Sequence, residues 1–68
     1  MKFMLMLVVC TAFYNDCDPQ MRYDKQFNTW KECILTGHKE SASIISQQPV
    51  GYVDENEIYV KFYCDKVV

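Results

Sequence analysis

The segment from Met1 to Ala12, MKFMLMLVVCTA, sets the hardest constraint on what this chain can become. Its aromatic and β-branched residues, continued by Phe13 and Tyr14, suit a pleated strand over residues 2–14. Side chains alternate across a strand. Phe3, Leu5, Leu7, Val9, Thr11 and Phe13 therefore share one face, and Met4, Met6, Val8, Cys10, Ala12 and Tyr14 the other. Both faces are apolar, whereas a strand with one wet side alternates with polar residues. One face can take a helix of the same chain. The other is left for a partner subunit, a ligand or a further part of the chain. With 68 residues, half of them hydrophobic and 15% aromatic, the chain forms one domain. A core of this size nets only about 3 to 5 kcal/mol, and natural proteins so small add disulfides or a partner subunit.

A lysine followed by an apolar run is also how a secretory signal begins. Against that reading, the run is short, and Val9 sits before Cys10 where a lipoprotein signal wants a small residue. The expectation is a mature first strand; the alternative is a signal-like segment over residues 1–12 of a secreted or periplasmic protein. The run is also far shorter than the ~20 residues a membrane-spanning helix needs, so no membrane role is expected.

Residues 15–27, NDCDPQMRYDKQF, read as a turn followed by an extended connection, long for its domain. A helix then starts at Thr29, with Glu32 three residues on completing a capping box; Asn28 is an alternative cap, with Phe27 as a hydrophobic staple. Trp30, Cys33, Ile34, Gly37, Ser41, Ile44, Ile45 and Gln48 form one amphipathic stripe, with Trp30 expected in the core. Pro49 ends the helix. Gly37 and Ser41 leave a notch in the stripe that suits a bulky aromatic or a close approach of helix to sheet. Val50–Val53 reads as a short extended piece before a turn at Asp54, Glu55 and Asn56. Residues 57–65 alternate again, with Ile58, Val60, Phe62 and Cys64 on one face and Tyr59, Lys61, Tyr63 and Asp65 on the other. The expected fold is α+β: a single domain over 1–68, a two-layer β-α-β unit with one amphipathic helix on a short sheet. Its exposed edge invites extension across a two-fold axis into a homodimer.

Seven basic and nine acidic side chains leave a net charge of −2 with no basic stripe, which argues against nucleic-acid binding. Cys10, Cys17, Cys33 and Cys64 allow three complete pairings. Cys17–Cys33, which would pin the long loop, with Cys10–Cys64 between neighbouring strands, is one candidate set. Four reduced, buried cysteines in a cytosolic protein is the other option. Zinc needs ligands at spacings such as C-x2-C, which are missing here, and His38 is the one histidine. It is poorly placed to activate Cys33, so no catalytic residue, metal site or cofactor is expected and the protein is read as a non-enzyme. Asp16 and Asp18, and Asp54, Glu55 and Glu57, read as solvated turns without an EF-hand pattern. Tyr59, Tyr63 and Tyr52, with Met4 and Met6 on the second face of the first strand, are the candidate contact residues for a protein partner.

Taken whole, the opening MKF and apolar run to Cys10, then Cys17 with Pro19, Phe27, Cys33, Gly37 and the closing Ile58-Tyr59-Val60-Lys61-Phe62-Tyr63-Cys64, resembles small proteins encoded by marine bacteriophages. The resemblance implies no activity, fold or site residues. It implies an accessory protein expressed in the cytoplasm of an infected host cell, with reduced cysteines and a protein-interaction role; secretion is the alternative.

Overall fold

A computed structural model describes residues 2–67. In chain order it contains β1 (Lys2–Thr11), β2 (Asp16–Cys17), β3 (Met21–Phe27), α1 (Trp30–Ser46), α2 (Val50–Asn56) and β4 (Ile58–Val67). The result is a small α+β fold in which an antiparallel four-stranded sheet carries the helices. β1 is central, paired along both of its edges. β4 runs beside it without a break, from Lys2 opposite Val67 to Thr11 opposite Ile58. On the other side β3 pairs with the first part of β1, and β2 with Cys10 and Thr11.

Two stretches read as irregular from the sequence are regular. β1 stops at Thr11, three residues earlier than the alternation suggests, because the chain turns at Asn15 with φ 54°, a left-handed conformation that asparagine tolerates. The chain then doubles back. Asp18 N–H donates to the Val9 carbonyl at 2.8 Å, and β3 follows where an extended connection was expected. Its strand signal is faint because it is an edge: Tyr23 and Phe27 turn inward while Arg22, Asp24, Lys25 and Gln26 are exposed. The second correction concerns Val50–Asn56, which forms α2 rather than an extended piece. Pro49 holds a φ of −60° and its carbonyl accepts from Val53 N–H at 3.1 Å, so a helical turn closes directly behind the proline despite two valines. The end of α2 is tied to β1. The Asn56 carbonyl, one of the acceptors a helix end leaves free, takes hydrogen bonds from the Thr11 hydroxyl and from Phe13 N–H.

α1 follows the sequence reading closely. Thr29 is its N-cap and its Oγ1 accepts from Glu32 N–H at 3.1 Å. The helix covers one face of the sheet through Cys33, Gly37 and Ile44. Leu5, Leu7, Phe27 and Cys33 form the core, with Phe3, Tyr23, Ile44, Val60, Phe62 and Cys64 packed around it. The notch at Gly37 holds the Phe62 ring, which a Cβ at this position would overlap. Trp30 corrects the expectation of a core residue: it is 53% exposed, its ring edge-to-face with Phe3 near the start of β1 at 5.8 Å. As the first residue of the helix it lies beyond the part of α1 that the strands can cover.

Candidate interaction surface

The register of the sheet decides which side chains share the face that α1 leaves uncovered. Met4 stands opposite Asp65, Met6 opposite Tyr63, Val8 opposite Lys61 and Cys10 opposite Tyr59. On the far side Met4 faces Gln26 and Met6 faces Arg22. Val8 and Cys10 are buried even on this face, Val8 beside Lys61 of β4 and Cys10 between Tyr59 and its disulfide partner Cys17. Met4 and Met6 are half-buried, while Tyr59 and Tyr63 remain 38% and 43% exposed. Lys61 lies between the two tyrosines, its Nζ 5.8 Å from the Tyr59 ring centroid, within the range of a cation–π contact. Four of the five candidate contact residues thus share one face. Tyr52 stands apart: it is on exposed α2, beside a small hollow of about 60 Å3 that also touches Asp16, Cys17 and Asp18.

The cysteines form two disulfides, Cys10–Cys17 and Cys33–Cys64. This corrects the candidate pairing of Cys17 with Cys33 and Cys10 with Cys64, and the reason is parity. Cys64 is opposite Leu5 and faces α1, whereas Cys10 is an odd number of residues from Leu5 and faces away, so the two cannot meet. Cys10 is instead directly opposite Cys17 in the β1–β2 ladder. Cys33, in the first turns of α1, meets Cys64 across the core. The alternation of the two strands carried this signal already, since the apolar set of β4 shares its face with Leu5 and Leu7 only if Cys10 lies on the other.

Two further features lie outside the candidate residues. Phe13 and Tyr14, assigned to the first strand by pattern, instead occupy the turn, exposed and edge-to-face at 4.9 Å. Between the C-terminal half of α1 and β4 runs an apolar groove of about 420 Å3, lined by Ser41, Ala42, Ile45 and Ser46 on the helix and by Ile58, Tyr59 and Val60 on the strand. Ser41 Oγ is buried there without a hydrogen-bond partner. His38 is exposed and rests edge-on against the Phe62 ring at 4.9 Å, remote in role from Cys33, which is committed to its disulfide. Asp16 Oδ1 accepts from Cys17 N–H at 2.9 Å, an ordinary turn bond. Among the described residues no cluster of histidine, cysteine and carboxylate side chains is placed to hold a metal ion, and no helix is long and apolar enough to cross a membrane.

Comparison with family models, with curated proteins and with solved structures returns no match.

Proposed function

We propose that this is a small non-enzymatic accessory protein that acts by protein–protein interaction, presenting the uncovered face of its sheet to a partner. The observation that carries the reading is the row of Met4, Met6, Tyr59 and Tyr63 on that face. Tyrosine contributes large contact area with a polar tip, methionine adapts to a partner's shape, and both are enriched where proteins meet. The two disulfides support a place in oxidising surroundings, at a virion or cell surface, in a periplasm or outside the cell, rather than in a reducing cytoplasm. A version of the protein from which residues 1–12 had been cut would lose the strand to which β2, β3 and β4 all pair, together with Cys10. That loss favours a domain that keeps its first segment over one that discards it as a signal.

The test is oxidative footprinting of Met4, Met6, Tyr59 and Tyr63 in the cells or particles that carry the protein, against the purified protein in dilute solution. Protection of these four, with Phe13 and Tyr14 labelled equally in both, is the expected result. Equal labelling throughout overturns the reading. A thiol count on the same material, denatured without reductant, tests the oxidising placement: no reactive thiol is expected, and four would remove it.

A further inference from the structure

We propose that the sheet is continued by a second copy of this chain, joined by antiparallel pairing of β4 with β4 about a two-fold axis at Tyr63, which merges the Tyr59 and Tyr63 rows of two copies into one wider uncovered face; this deepens and rests on the interaction reading above. β4 pairs only with β1, so among the described residues its other edge is free along all ten positions, Ile58–Val67. A long, regular edge is a template for another strand. With both helices kept on one side of the continued sheet, each possible axis passes through a residue of β4. Four lie near its middle, of which the one at Cys64 sets Tyr63 opposite Asp65 and shortens the pairing. An axis at Lys61 sets the two lysines opposite one another and shortens the pairing. An axis at Phe62 sets Lys61 opposite a tyrosine and leaves Asp65 facing another. An axis at Tyr63 pairs 59–67 with 67–59 and sets Lys61 opposite the partner's Asp65 on both sides of the axis. The run Lys61-Phe62-Tyr63-Cys64-Asp65 is its own complement in that register alone, with two opposite-charge pairs flanking a Tyr63–Tyr63 contact on the uncovered face.

The helix side of the same edge fits this register. Val60 lines the groove beside α1 and stands opposite the partner's Lys66. That side chain lays its stem on the apolar wall formed by Ala42 and Ile45 and keeps its ammonium at the mouth of the groove, in solvent. Each copy thereby covers part of the other's apolar groove.

The experiment is sedimentation velocity on the oxidised protein from about 5 to 500 μM at low salt, where surface charge is least screened, for the wild type, Lys61→Asp, Asp65→Lys, the equimolar mixture of the two and the double swap. The wild type is expected to dimerise, and each single change to weaken the dimer about tenfold by facing like charges across the axis. The mixture and the double swap both restore opposite charges and are expected to recover the dimer. Restoration also separates the charge effect from misfolding, which mixing cannot repair. A wild type that stays monomeric overturns the inference, as do single changes that dimerise like the wild type or combinations that fail to recover. If the wild type is monomeric but footprinting in its native setting still protects Tyr59 and Tyr63, this inference falls and the interaction reading stands; loss of both ends both.

Discussion

Along one side of β1 the sheet ends in β3, seven residues with Arg22, Asp24 and Lys25 exposed and a register break opposite Met4 to Met6. Along the other it ends in β4, ten residues in unbroken register whose exposed positions include two tyrosines. Charges and irregular pairing are the usual ways in which a protein keeps an edge from recruiting another strand. β3 has both. β4 carries charges as well, at Lys61, Asp65 and Lys66, but it has no register break and no proline, and its helix-facing residues are Ile58, Val60, Phe62, Cys64 and Lys66. The two edges differ in bracing as well. Cys33–Cys64 closes 31 residues and ties α1 to β4, while Cys10–Cys17 closes 7 and ties only β2 to β1. The edge that is open to a partner is also the one most firmly fixed to the helix, and a rigid edge costs less to dock than one that must first be ordered.

The largest effect expected from breaking this arrangement is at Cys33 and Cys64. Replacing both with alanine removes a link worth about 4 kcal/mol of loop entropy, close to the whole stability of a domain this small, so the variant should be largely unfolded by far-UV circular dichroism at 25 °C. The matching change at Cys10 and Cys17 removes about 2 kcal/mol and should leave a folded protein with a lower urea midpoint. If the second pair proves the more costly, the contrast between the edges is wrong. Gly37→Ala comes next: the new methyl meets the Phe62 ring of β4, and overpacking of this kind typically costs about 1–3 kcal/mol in a urea titration. On the β3 side, Thr29→Ala should cost about 1 kcal/mol through loss of the bond from Glu32 N–H. The smallest effect has the opposite sign. Gly51 lies in α2, away from both edges and with nothing near its Cβ position, so Gly51→Ala should raise stability by up to about 1 kcal/mol, seen as a higher melting temperature.

Much of the frame was legible in the residues. The double-faced apolar run marked the first strand, Thr29 and Pro49 bracketed α1, and the alternation after Glu57 marked β4. Gly37 announced a close neighbour, though Phe62 was not identifiable as that neighbour before β4 was set beside β1. β3 was missed because an edge strand with one thin apolar face has little pattern to show: Lys25 interrupts the alternation of Met21, Tyr23 and Phe27. α2 was missed because two valines suggested extended chain, while the proline that ended one helix also opened the next. Of the contact residues, Met4, Met6, Tyr59 and Tyr63 were chosen separately from two strands, and only the register placed them in adjacent rows. Tyr52 had the same chemistry and landed elsewhere.

What the sequence determined by itself was local and periodic: which residues can form a strand or a helix, where each begins, and which side chains share a face. Those properties depend on neighbours a few positions away, within reach of backbone geometry and capping hydrogen bonds. The tertiary structure decided the strand order, the pairing of the cysteines, and which edge of the sheet is left free. Each of these joins residues far apart in the chain, and a one-residue change in register would reverse every face. Cys33 finds Cys64 rather than Cys17 because Leu5 and Leu7 must lie under α1, and burying that row orients every strand beside it.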